Sequence, residues 1–135
     1  MQLEENNMER ELLHNSIQCP DGTILVSRSR HNFVAHTQED GRGYFTDGGL
    51  SYNRVGYSDE EFIDLCVYSD DDHTKIREHF DWGSYGINGD EPLKYILLKD
   101  ITEGHLDALI DYCKTGYPSK ILKVFKDEKE YRNNN

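Results

Sequence analysis

The 135-residue chain has no apolar run of the ~18 residues that a membrane span requires, so its sequence suggests no crossing of a bilayer. Cysteine is scarce: Cys19, Cys66 and Cys113 are odd in number and far apart, which argues for reduced thiols rather than a disulfide framework. Positive charge is also short, with 15 Lys and Arg against 26 Asp and Glu. The resulting formal charge of −11 disfavours non-specific binding to DNA, RNA or anionic lipid. Met1 to Asn15 lacks the basic-then-apolar pattern of a secretory leader, so the expected location is the cytosol. Histidines at 14, 31, 36, 73, 79 and 105 form no His-x-x-x-His pair, and there is no Cys-x-x-Cys. Zinc needs four ligands at close quarters, and no metal or cofactor is expected here. Asp70-Asp71-Asp72 lacks the glycine and distal glutamate of a calcium loop and reads as the cap of a helix. Gly83, Gly86 and Gly89 recur every third residue with no Lys-Ser/Thr after them, so they are not a P-loop. Neither a Gly-x-Ser-x-Gly nor a nucleophile–base pair is evident, and the chain is not expected to be an enzyme.

What is present is enough for one folded domain over residues 1–135: 36% hydrophobic residues, nine Tyr, five Phe and one Trp. Leu3, Met8, Leu12 and Leu13 predict a weak amphipathic helix over residues 3–15. Alternation over 23–68 predicts a sheet region: Thr23–Ser29, Asn32–Thr37, a strand around Tyr44 and Phe45, another around Leu50–Arg54, and Phe62–Tyr68. The turns at Cys19–Gly22, Glu39–Gly41 and Asp47–Gly49 suggest that four of these strands follow one another as an antiparallel meander. Beyond residue 70 come a helix with Ile76 and Phe80 on one face, a Gly-rich aromatic loop at 82–90, and a strand at 93–98. A helix capped by Thr102 and a last helix capped by Ser119 follow, with residues 132–135 expected to fray. The expected class is α+β, an N-terminal antiparallel sheet of about five to six strands followed by C-terminal helices.

Two groups of residues carry candidate chemistry. Arg28, Arg30 and Arg54, with His31 beside them, concentrate cations on an acidic body, which suits a compact anion. On a strand, Arg28 and Arg30 would share one face, and paired guanidinium N–H donors match phosphate oxygens. Phe80, Trp82 and Tyr85, with the Asn88 amide, offer ring faces for a base and donor–acceptor pairing for an adenine edge. Each group also has an ordinary explanation, as surface arginines paired with the surplus acids and as glycines needing positive φ.

The ordered motifs Arg30-His31-Asn32-Phe33, Asp47-Gly48-Gly49-x-x-Tyr52-x-Arg54, Trp82-Gly83-Ser84-Tyr85-Gly86, Pro92-Leu93-x-Tyr95 and Glu103-Gly104-His105-Leu106-x-Ala108-Leu109 resemble a family of small proteins encoded mainly by tailed bacteriophages. The likeness spans about residues 28–131. Many relatives have Asp in place of Asn32, and some carry a Cys-x-x-Cys knuckle where this chain has only Cys19, so no metal is carried over. A second, weaker resemblance is to the phage sponge proteins that defeat Thoeris immunity. It implies a homo-oligomer, a dimer or trimer of dimers, that sequesters a cyclic ADP-ribose signal without cleaving it. Some members also hold cyclic oligonucleotides. Carried over by position, Phe80 and Asn88 would line the pocket, with Arg28 and Arg54 on phosphates and His105 added from the last motif. The implied setting is the cytoplasm of an infected bacterial host, with neither nucleic acid nor membrane as partner. A rival expectation follows from the charge alone: an acidic phage protein that inhibits a basic host protein by direct binding, imitating nucleic acid.

Overall fold

The structure, a computed structural model, describes residues 10–57 and 61–135, and divides into two compact units, Met1–Asp70 and Asp71–Asn135. The expected class is observed: antiparallel strands dominate the first unit and helices close the second.

In the first unit, strand β1 (Leu12–Gln18) replaces the C-terminal part of the expected helix over 3–15, whose residues 3–9 lie outside the described ones. The reason is burial on both faces. Leu12, Leu13, Asn15, Ser16 and Ile17 are all buried, so no polar stripe marks the strand in the sequence. The Cys19–Gly22 turn leads to β2 (Ile24–Ser27), which pairs with β1 from Gln18↔Ile24 to Asn15↔Ser27. Leu25 and Ser27 face inward while Ile24 is exposed, as alternation requires. β3 (Val34–Thr37), β4 (Gly43–Asp47) and β5 (Arg54–Tyr57) form a separate antiparallel meander. The four-strand meander is therefore corrected to three strands, because β2 is paired with β1 and not with β3. Leu50 lies in a turn, and the strand expected there begins only at Arg54.

Phe62–Tyr68 is broken into β6 (Ile63–Asp64) and β7 (Val67–Tyr68), both paired with β1. The break falls where the Cys66 N–H turns to the Asp64 carboxylate, 2.9 Å away. The Ser58–Glu61 capping pattern lies, but for Glu61, outside the described residues. The core between these strands is Ile17, Cys19, Leu25 and Tyr44, with Val34, Val55 and Phe62 packed against it. All three cysteines of the chain are buried thiols, and burial pushes those of Cys19 and Cys113 up.

In the second unit, Asp72 accepts the Thr74 N–H at 3.0 Å and caps helix α1 (His73–His79). The segment 82–84, expected as loop, belongs instead to strand β8 (Asp81–Ser84), which pairs with β9 (Lys94–Leu97). Gly83 allows this: a Cβ there would meet Leu93 and Tyr95 at 3.1 Å, so both side chains cross it. A 3-10 turn at Leu98–Asp100 precedes α2 (Glu103–Tyr112), capped by Thr102 through the His105 N–H at 3.3 Å. In α3 (Ser119–Asn134) the cap position is Pro118, and Ser119 is already helical. Its end does not fray at 132, because the Arg132 guanidinium donates to Glu128 at 2.7 Å, Glu103 at 3.0 Å and the Leu98 carbonyl at 3.0 Å.

Candidate functional site

Arg28, Arg30 and His31 do not lie on a strand. β2 ends at Ser27, and residues 29–32 form a turn closed by the Asn32 N–H on the Ser29 carbonyl at 2.9 Å. Two side chains impose the turn. Asn32 Oδ1 accepts the Arg28 N–H at 2.9 Å, and the buried Ser27 hydroxyl donates to the Asn32 carbonyl at 2.6 Å. The shared strand face expected for Arg28 and Arg30 is thus replaced by a tight loop that exposes both. His31 sits in it at φ 69, the one described non-glycine residue with positive φ. Such a conformation costs on the order of 1–3 kcal/mol and persists only where neighbours enforce it.

The neighbour is the Asp47–Tyr52 loop. Gly48 has φ 113, and a Cβ there would fall 1.9 Å from the Tyr52 carbonyl oxygen. Gly49 has φ 55, and its Cβ would fall 2.3 Å from the Ser29 carbonyl carbon, so only glycine lets the two loops touch. The Gly49 N–H donates to Ser27 Oγ at 2.9 Å, which makes Ser27 a bridge between them. Asn15, fully buried on β1, holds the same loop from beneath. Its amide donates to the carbonyls of Asp47 (3.0 Å), Gly49 (2.9 Å) and Tyr52 (3.0 Å). Its Oδ1 accepts from Thr46 and Asn53, both at 2.7 Å.

Across the two loops runs a polar chain. His31 Nδ1 and the Tyr52 hydroxyl are 3.3 Å apart, and that hydroxyl lies 3.5 Å from Asp47 Oδ2. Arg54 donates to the same oxygen at 2.9 Å. The Asp47 side chain is 6% exposed and that of Arg54 59%, so the pair presents its cationic half outward. Asp47 Oδ1 is buried and accepts no hydrogen bond among the described residues. Of the expected site residues, His31 and Arg54 are therefore linked through Tyr52 and Asp47, while Arg28 and Arg30 are exposed on the same turn as His31, whose Ser29 backbone meets Gly49.

Arg54 opens onto the outer face of the β3–β4–β5 sheet. Phe45 is paired directly with Ala35 and Gly56, and Arg54 with Asp47. The Phe45 ring covers Gly56 so closely that a Cβ there would be 1.9 Å from it. Phe33 packs on Phe45 with centroids 4.7 Å apart and planes 30° from parallel, and the Arg54 guanidinium lies 5.0 Å from the Phe45 ring centre.

The other expected residues belong to the second unit. Phe80 is 2% exposed and meets Phe125 edge to face at 5.9 Å, so its ring is core and offers no open face for a base. Trp82, half-buried on β8, contacts Phe125 at 5.3 Å and Tyr117 at 5.8 Å, also edge to face. These contacts make Phe80 and Trp82 packing residues, and correct the expectation of a stacking loop. Asn88 is exposed in the Gly86–Gly89 turn, and His105 is half-buried in the first turn of α2. Asn15, Ser27 and Tyr52, which shape the loop cluster, carry no mark in the sequence beyond the placement of Tyr52 within a motif. A strand reading of 12–18 would have put Asn15 on the buried face of β1.

Compared with protein-family models, curated proteins and solved structures, the chain matches none.

Proposed function

We propose that the chain is a non-catalytic binding protein that sequesters a small phosphorylated immune signal, and so protects an infecting phage from its host's defence. The ligand class is the cyclic ADP-ribose type, with cyclic oligonucleotides as the second candidate. The observation that carries the reading is the contact of the 28–32 turn, with Arg28, Arg30 and a strained His31, with the Asp47–Tyr52 loop, through which His31 is linked to Arg54. On a chain of charge −11, guanidinium groups close together attract a compact anion, while the acidic remainder of the surface repels an extended polyanion. The glycine contacts and the Asn15 and Ser27 hydrogen bonds fix those loops before any ligand arrives, which lowers the ordering cost of binding. Suppressing a signal requires a dissociation constant below its working concentration. A nanomolar value corresponds to roughly −12 kcal/mol. Two or three charge-assisted phosphate contacts with one stacked ring supply about 4–12 kcal/mol, so the full set is needed to reach that value. Assembly into dimers or trimers of dimers belongs to the same proposal, since a chain this small gains from a partner in enclosing a dinucleotide.

The test is calorimetry of the protein with cyclic ADP-ribose, followed by heat release and mass spectrometry. Submicromolar binding with intact ligand recovered supports the reading; recovered product would make the protein an enzyme. Arg28→Ala with Arg54→Ala should lose the binding. No nucleotide binding at all would favour the acidic inhibitor of a basic host protein, which salt-sensitive capture of such a protein would identify.

A further inference from the structure

We propose that Asn88 is a self-modification site, at which the Gly89 main-chain nitrogen attacks the Asn88 side-chain amide and converts the asparagine to aspartate and isoaspartate. The proposal goes beyond the binding function above and does not depend on any ligand. Water is the only co-reactant. A C–N bond forms between Gly89 N and Asn88 Cγ, the Cγ–Nδ2 bond breaks, and ammonia leaves with the Gly89 N–H proton. Water then opens the five-membered imide at either carbonyl, which gives aspartate or isoaspartate. Asparagine is a thermolabile residue in general, and its neighbours decide whether it reacts.

Three observations select this residue. First, Asn88 is the one asparagine of the chain that precedes a glycine, so no side chain crowds the attacking nitrogen. Even a Cβ built at Gly89 would meet no atom within 4 Å, so the rest of the fold does not crowd it either. Second, the two central residues of the turn stand in solvent: Asn88 is exposed and Ile87 is 96% exposed. The Gly89 N–H donates to the Gly86 carbonyl at 3.1 Å, and this bond must open before the nitrogen attacks. Water replaces it in the open turn, so the bond slows the attack by about two- to tenfold and does not prevent it. Third, among the described residues nothing holds the Asn88 side chain. The described asparagines of the first unit are held. Asn15 is fully buried and donates to three carbonyls, and Asn53 donates to Asn15 and Thr46. Asn32 accepts the Arg28 N–H and is followed by the bulky Phe33.

Incubation of the folded full chain in warm, mildly alkaline buffer, followed by peptide mass spectrometry with isoaspartate detection, tests the proposal. The peptide holding Asn88 should gain the mass difference between an amide and an acid, with isoaspartate present among the products. Asn15, Asn32 and Asn53 should stay unconverted over the same interval. Gly89→Ala places a methyl group beside the nitrogen and should slow the conversion severalfold. Because Gly89 has φ 75 and alanine is strained there, Asn88→Gln provides a second variant that leaves the backbone alone. Its longer side chain would have to close a six-membered ring, so residue 88 should then stay unconverted. Conversion of Asn88 no faster than that of Asn32 or Asn53 would overturn the proposal. Aspartate without isoaspartate would overturn it too, since direct hydrolysis needs no imide, as would an unchanged rate in Gly89→Ala.

Discussion

Replacing Glu128 by alanine should destabilise the second unit more than any other single loss of a charged group. The Glu128 side chain is 0% exposed on α3. Its carboxylate accepts from Arg77 Nε at 3.0 Å and Nη2 at 2.9 Å, from Arg132 Nε at 2.7 Å, and lies 2.9 Å from His73 Nε2. Without it, Arg132 keeps Glu103 and the Leu98 carbonyl, but Arg77 is left with the Tyr131 ring, 4.4 Å away, and the weaker attraction of Glu78. A largely buried cation stranded in this way costs about 3–5 kcal/mol. With a urea slope near 1–2 kcal/mol per molar, the midpoint should fall by on the order of 2 M. Trp82 is the only tryptophan and packs on Phe125 within the same unit, so its fluorescence reads this transition directly. Lys123→Ala, which breaks the exposed Lys123–Asp127 pair on the same helix, provides the contrast and should cost less than about 1 kcal/mol. A Glu128→Ala shift below about 0.5 M, or one no larger than that of Lys123→Ala, would refute the reasoning. The pH dependence has a defined sign. Burial raises the Glu128 pKa, but the donors on Arg77, Arg132 and His73 more than offset it, and the net displacement is downward. The carboxylate therefore stabilises the fold fully above its unfolded value, and that contribution is lost as pH falls through the lower folded one.

Asn15→Ala removes the support beneath the Asp47–Tyr52 loop, taking the acceptor from the Thr46 hydroxyl and the side-chain donor from the Asp47, Gly49 and Tyr52 carbonyls; it should cost about 2–4 kcal/mol and speed amide exchange at Gly49 and Tyr52. His31→Gly relieves a positive φ, so stability should rise by up to about 1 kcal/mol in thermal unfolding while phosphate affinity falls; a loss of stability would show that the conformation is not strained. The hydrogen bond from His36, 2.8 Å away, and the Thr23 N–H hold the Asp21 carboxyl down at about 2. Its stabilising contribution is present above the unfolded value and lost as pH falls through about 2, and a carboxyl-carbon NMR titration of His36→Gln should show the midpoint move up.

Elements governed by local chemistry were legible in the sequence. The turns at Cys19–Gly22 and Gln38–Gly41 rest on glycine and Asx geometry, and the caps Asp72 and Thr102 on short side-chain acceptors, all set within four residues. Strand β1 was not legible, because a central strand with Asn15 and Ser16 buried beside Leu13 and Ile17 shows neither a period of two nor of 3.6. β8 was hidden for another reason: Gly83 weakens strand propensity, and its value lies in making room for Leu93 and Tyr95, residues ten and twelve positions away. The split of the strands between two sheets depends on β1 taking β2 as its partner, a choice made by tertiary packing.

The same division separates the parts of the candidate site. Arg28, Arg30 and Arg54 could be singled out as a candidate group from composition, since arginines so close in a chain of charge −11 stand out, and the structure links His31 to Arg54 through Tyr52 and Asp47. Which aromatic rings accompany them could not, because Phe80 and Phe33 differ in exposure, and exposure is decided by packing partners distant in sequence. Phe80 turns inward onto Phe125, forty-five positions on, while Phe33, just before β3, is exposed and packs on Phe45. The strain at His31 points the same way. A turn that served only to connect β2 to β3 could place glycine at φ 69 and avoid the penalty. Keeping an imidazole there needs Asn32, Ser27, Gly48, Gly49 and Asn15 to over-determine two loops at once. If the binding proposed for these loops is what keeps His31 there, His31→Gly should gain stability and lose affinity together.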